Sequence, residues 1–213
     1  MSLLNGQVYN PFASSQSDGN EPRLPQGRKG EVLVSELMGK YANLVERGLV
    51  FIGSTLAAGT IIPINAASLV STFTLWNPLG SGKNIHVLDY DLGLITATAV
   101  VGSLLLHYQS GVGAAILAPT SQAPLTPVNA LLGAGAAPVG KLLSAGTLTG
   151  TPTILMPLAI NFGTVAGNPG PDMAHVEFDG KLILPPGTLI TVTSTAAQTA
   201  AMVQKFTYAE LPA

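Results

Sequence analysis

Apolar and polar side chains alternate along much of this chain, and the alternation is clearest towards its C-terminal end. Val176 and Phe178 alternate with His175, Glu177 and Asp179; Asp179-Gly180 supplies a turn signal; Leu182 and Leu184 follow, before Pro185-Pro186-Gly187. Leu189, Ile190, Thr191, Val192 and Thr193 come next, and Met202, Phe206 and Tyr208 share one parity in the final run. Alternation bounded by Asp-Gly and Pro-Gly predicts antiparallel strands with one buried face. Residues 174–211 are therefore expected to form one sheet unit.

The rest of the chain divides by the same signals. Residues 1–30 are rich in Asn, Ser, Gln, Gly and Pro, too polar to offset their own ordering entropy. They predict an extended N-terminal arm with a reach on the order of 100 Å, either loose or ordered against a neighbouring subunit. Residues 31–213 then form the folded domain. Within it, Val34, Leu37, Met38, Tyr41 and Leu44 or Val45 fall at helical spacing and Gly48 offers a stop, which predicts one short helix over 31–47. Gly39 argues against it, and the same letters accommodate two short strands.

No charge occurs between Gly48 and Gly82. Residues 49–52 and 60–62 read as strand cores; in residues 71–76, Thr72, Thr74 and Trp76 oppose Phe73 and Leu75. Ile85, Val87, Asp89 and Asp91 oppose His86, Leu88, Tyr90 and Leu92 in the next strand, which makes Trp76 to Ile85 a long hairpin connection with Asp89 and Asp91 facing solvent or a partner. Residues 92–106 are apolar but shorter than the roughly 20 residues a membrane helix needs, so a buried strand pair is expected and no membrane span. Residues 100–108, 142–148 and 154–160 are further strands. Prolines punctuate residues 111–171, and residues 114–140 also fit an extended excursion packed on another subunit.

Composition sharpens this into an all-β, association-prone protein. The 213 residues suit one main domain, only 9% are charged and 47% are hydrophobic, against roughly 25% charged in ordinary soluble chains. Nine Lys and Arg and a net charge of −2 offer no cationic surface for phosphates, so no nucleic-acid partner is expected. Cysteine is absent, which removes disulfides and thiolate chemistry. The first residues lack a basic and then apolar leader, so use without Sec export is expected. Between Leu92 and Pro171 the only charged side chain is Lys141. Such a stretch exposes apolar surface unless it is covered, which predicts a homo-oligomer.

Site chemistry does not rise above background. Gly80-Ser81-Gly82-Lys83 invites comparison with a phosphate-binding loop, but the required earlier Gly and following Ser or Thr are Asn77 and Asn84, and a strand follows where a helix should. His86, His107 and His175 lack metal-site spacing. Asp89 and Asp91 share a strand face and would need a third ligand to hold a hard cation; solvated carboxylates or intersubunit hydrogen bonds are the simpler reading. No Gly-x-Ser-x-Gly elbow occurs. No catalytic, cofactor or metal residues are assigned, and no enzymatic activity is expected.

A resemblance completes the reading. Phe73-Thr74-Leu75-Trp76-Asn77-Pro78, followed by Gly80-Ser81-Gly82-Lys83-Asn84 and an apolar strand, resembles a phrase recurrent in small structural proteins of tailed bacteriophages. Glu36-Leu37-Met38-Gly39-Lys40-Tyr41 with Arg47-Gly48 resembles the phrase that precedes it there. The ending, Leu184-Pro185-Pro186-Gly187-Thr188-Leu189 with Phe206-Thr207-Tyr208-Ala209-Glu210-Leu211, is similar to the last strands of jelly-roll virion proteins. The uncharged middle carries no matching phrase. The resemblance implies a jelly-roll or related Greek-key β-sandwich acting as a capsid decoration, or cement, protein: a homotrimer on the capsid surface of the virion, made in the host cytoplasm, with the major capsid protein as partner. The rivals are a tail-spike or fibre-associated receptor-binding protein, disfavoured by 6% aromatics and one Trp, and a jelly-roll capsid subunit. A glycan-binding or cupin-like enzyme would need a His and Glu cluster inside the barrel.

Overall fold

The computed structural model describes residues 39–65, 72–96, 100–111, 119, 123–133, 135–148, 151–162 and 173–213. The chain divides into two units, Met1–Ala42 and Asn43–Ala213. The expected arm over residues 1–30 lies outside the described residues, as does the first part of the expected helix. In chain order the elements are α1 (Ala42–Glu46), β1 (Val50–Ser54), β2 (Thr72–Asn77), β3 (Lys83–Thr96), β4 (Gly102–Ser110), β5 (Pro124–Leu125), β6 (Val128–Asn129), β7 (Lys141–Gly146), β8 (Thr153–Phe162), β9 (Met173–Leu184), β10 (Thr188–Ser194) and β11 (Ala201–Pro212). The helical spacing thus survives at the end of its predicted span. Gly48 N–H donates to Val45 O at 2.8 Å and Leu49 N–H to Leu44 O at 3.0 Å, the bond pair that ends a helix by satisfying its last carbonyls.

Two antiparallel sheets form the second unit, one ordered β6-β1-β11-β3-β9 and the other β5-β7-β2-β10-β4-β8. Four nested pairs generate them: β1 with β11, β2 with β10, β3 with β9 and β4 with β8. This is one long hairpin wound around a common core, the connectivity of a jelly roll. The connection between β4 and β8 is the hairpin's tip. From there β6 extends the first sheet beside β1, while β7 and β5 extend the second beside β2. Part of the uncharged middle therefore covers two edges of its own sandwich.

The fold class is as expected, but several local expectations are overturned by the winding. β2 and β3 belong to different sheets, so Trp76 to Ile85 is a crossing between sheets and not a hairpin. The predicted strand pair over residues 92–106 is likewise the end of β3 and the start of β4, which lie in different sheets. The C-terminal unit is divided: β9 and β11 flank β3 in one sheet, and β10 lies in the other. Residues 60–62 form no strand; Thr60 makes an isolated bridge to Met202, and Ile64 another to Ser194.

Asp179-Gly180 is not a turn between strands but an irregularity within β9. Leu182 pairs with Val87 and Glu177 with Asp89, so residues 178–181 stand opposite the single Leu88. Asp179 and Gly180 take φ of 55° and 73°, left-handed values that suit Asp and Gly. The β11 register skips Leu88 as well. One extra residue reverses the phase of a strand. Ile85 and Val87 therefore enter the core, and so do Tyr90 and Leu92, whereas Asp89 and Asp91 turn outward. Asp89 and Asp91 do not share a face with Ile85 and Val87 as strict alternation predicts.

Aromatic side chains fill the space between the sheets. Phe206 stacks on Phe73 of the opposite sheet at 5.3 Å between centroids and lies 5.1 Å from Tyr90, while Phe51 stacks on Tyr208 at 5.7 Å. Phe206, Tyr90 and Tyr208 are fully buried. Burying each such ring contributes about 1.5–3 kcal/mol. Tyr90 Oη donates to Gln204 Oε1 at 3.1 Å, and Gln204 Nε2 donates to Thr60 Oγ1 at 3.1 Å. That polar pair ties the β1–β2 connection to the core.

Candidate functional site

Three features stand apart from the packed core. The first is a charged strip on the outer face of the first sheet. Register places Lys205 opposite Asp91 on one side, and His175 opposite Asp91 on the other. Lys205 Nζ pairs with Asp91 and also lies 3.2 Å from Asp89; His175 Nδ1 bonds Asp91, and His175 Nε2 is 3.5 Å from Glu177. Desolvation pushes the Asp91 carboxyl up, but hydrogen bonds and charge from Lys205 and His175 outweigh it and hold the group below its ordinary range. Hydrogen bonds to the Asp91 and Glu177 carboxylates raise the pKa of the exposed His175. Burial opposes protonation of Lys205, yet the two aspartates leave its pKa raised.

This strip unites the sequence candidates Asp89 and Asp91 with Lys205, a partner that sequence spacing did not reveal. A single lysine ammonium lies between the two carboxylates and offsets part of their charge. Among the described residues, no group of three or more His, Cys, Asp or Glu side chains is arranged so that it could hold a metal ion. The other histidines lie elsewhere: His86 is on β3 near the Asp179-Gly180 irregularity, and His107 is buried on β4 in the second sheet. His107 Nε2 lies 2.8 Å from Thr193 Oγ1, and burial lowers its pKa, favouring the neutral ring. Lys83, from the glycine-rich loop, pairs with Glu210 at 3.1 Å. Asn77 Nδ2 closes that loop by donating to Lys83 O and Leu184 O, each at 2.8 Å. The loop thus braces a sheet crossing.

The second feature is a cavity of about 240 Å³ between the free edges of the two sheets, lined by Tyr108, Leu155, Ile183, Leu184, Pro185 and Leu189 among others. Tyr108, Leu155 and Ile183 are exposed at its mouth. It is apolar, and β8 and β9 border it as edge strands.

The third feature is the end of the jelly roll at which β1, β3, β8 and β10 finish and β4, β9 and β11 begin. Leu56, Ile61, Ile64, Ile95, Val100 and Val101 are all exposed there, Leu56 at 71% and Ile61 at 52%. None of residues 55–65, 100–101 and 195–200 is charged. Their backbone is held firmly. Thr60 N–H donates to Met202 O at 2.8 Å and Thr60 O accepts from Met202 N–H at 3.0 Å, while Asn65 N–H donates to Ser194 O at 2.7 Å. Gln198 grips both backbone groups of Val100, at 2.9 and 2.8 Å. A Cβ on Gly59 would come within 2.8 Å of Met202 O, so glycine permits the close approach of this loop to β11. The neutrality of the individual segments was readable in the sequence, but their meeting at one end depends on the winding.

No protein-family model, no curated protein and no solved structure matches the chain.

Proposed function

We propose that the protein is a structural virion subunit of the capsid decoration type, which stabilises a tailed-phage head through protein–protein contacts. The observation that carries this reading is the jelly roll with six large apolar side chains exposed at one end, Leu56, Ile61, Ile64, Ile95, Val100 and Val101. Such a surface gains free energy when covered, at about 25 cal/mol per Å² of apolar area, before the cost of association is subtracted. Its action would be mechanical: many modest contacts repeated over a shell resist internal pressure without bond chemistry. The Asn-Pro and Gly-Ser-Gly-Lys run lies at a sheet crossing, and the C-terminal run lies in the strand that pairs with both β1 and β3.

In this reading the subunits form a trimer on the outer face of the head, the major capsid protein is the partner, and residues 1–30 act as an arm to neighbours. Co-sedimentation tests it: purified protein mixed with undecorated heads should pellet with them at a saturating, fixed ratio. Failure to bind heads while binding tails would favour the receptor-binding alternative. Incorporation only during shell assembly would favour the jelly-roll capsid subunit.

A further inference from the structure

We infer that the cavity between β8 and β9 is a binding site for a small, uncharged, largely apolar molecule with a single hydrogen-bonding group. Its floor belongs to the core: Leu184 and Ile190 are buried there, and Leu182 packs against the same cluster. Tyr108, Leu155 and Ile183 stand exposed around the mouth. Size sets the first limit on the occupant. An apolar cavity of about 150 Å³ accepts benzene. At that ratio the cavity of about 240 Å³ takes on the order of ten non-hydrogen atoms.

The bordering strands exclude an added peptide strand, which needs a continuous ladder of unpaired N–H and C=O groups. β8 carries three register irregularities against β4, and Pro157 in its middle has no N–H to offer. In β9, residues 178–181 stand opposite the single Leu88 and interrupt the edge between Glu177 and Leu182. A free molecule makes no such demand. None of the lining residues is charged, so an ionic ligand would set its charge against apolar side chains without a counter-charge. Lys181, which precedes Leu182, is exposed. Thr188 Oγ1 is engaged, donating to Pro185 O at 2.6 Å, whereas Tyr108 and Ser110 bring exposed hydroxyls to the cavity. One polar group on the ligand pairs with these hydroxyls while its apolar body covers Leu184 and Ile190.

This inference is independent of the virion reading. Isothermal titration calorimetry on the full chain tests it, with indole as the probe and indoleacetate as its charged counterpart. Leu155→Trp and Ile183→Trp fill the mouth, Tyr108→Phe removes one hydroxyl, and Leu132→Trp is the control; Leu132 is 79% exposed on the β6–β7 connection. Circular dichroism and melting curves check that each variant is folded, and Ile183→Trp carries the test if Leu155→Trp is not. Wild type and the control are expected to bind indole with a Kd on the order of 100 μM. The mouth variants should bind at least about ten-fold more weakly, and Tyr108→Phe about three- to ten-fold more weakly. Absence of saturable binding at roughly 1 mM indole overturns the inference. So do mouth variants that bind like wild type, because the indole then sits elsewhere. Indoleacetate binding as tightly as indole overturns the uncharged class. A wild type that binds no indole, and whose concentration-dependent association is lost in Leu155→Trp, would assign the cavity to a second copy and overturn it too. Indole binding by a chain that ignores phage heads leaves this inference standing while removing the decoration reading.

Discussion

Replacing Glu210 by Ala is expected to destabilise the sandwich at the end opposite its uncharged loops. Glu210 is completely buried. Its Oε1 accepts from the N–H groups of Val139 and Gly140, each at 2.8 Å, and its Oε2 pairs with Lys83 at 3.1 Å. One carboxylate therefore joins the end of β11, the start of β3 and the connection that leads into β7. Each charge-assisted bond contributes about 1.5–3 kcal/mol. Gly140 is buried and would be left without a partner, whereas Val139 is half-buried and can partly rehydrate. Lys83 is 31% exposed, so its share is about 1 kcal/mol or less. The sum is about 3–5 kcal/mol, or roughly 6–20 °C in melting temperature for a chain of this size. Glu210→Gln keeps an acceptor for both N–H groups and should cost only about 1–2 kcal/mol. Urea unfolding followed by the single Trp76 gives the free energies, and hydrogen exchange gives the local effect at residues 139 and 140. A loss below about 1 kcal/mol for Glu210→Ala, or unchanged exchange at those two amides, would refute the clamp.

Phe206→Ala removes the ring that bridges Phe73 and Tyr90 across the core and should cost about 3–5 kcal/mol, read by the same urea titration. Asp91→Asn should lower the melting temperature near neutral pH. Because the folded-state pKa of Asp91 is depressed, its contribution is present above the ordinary value of about 3.9 and is lost as pH falls through the lower folded value; calorimetry should show the two proteins converging in acid. His175→Gln should behave oppositely. The raised pKa of His175 means that its contribution is complete below about 6.5 and fades as pH rises through the folded value.

Strand cores were legible because burial on one face imposes alternation, and the all-β class follows from that alone. Even the phase reversal in β3 left a trace, the doubled apolar pair Val87-Leu88 before Asp89, which strict alternation passed over. Sheet membership was not legible. Asp179-Gly180 has the chemistry of a turn, yet the partners of β9 on both sides of it come from the same β3, and only that distant register turns the dipeptide into a local irregularity. The same limit hid Lys205 beside Asp91 and Glu210 beside Gly140: pairs so far apart in the chain share no local signal. The uncharged end combines both cases, since its composition was visible and its assembly was not.

The proposed role as a structural subunit on a phage head is tested by an electron cryomicroscopy map of intact particles carrying the chain. Sandwich-shaped density at repeated sites on the outer face of the head is the expected result. Density confined to the tail, or particles that lack the chain altogether, would contradict it.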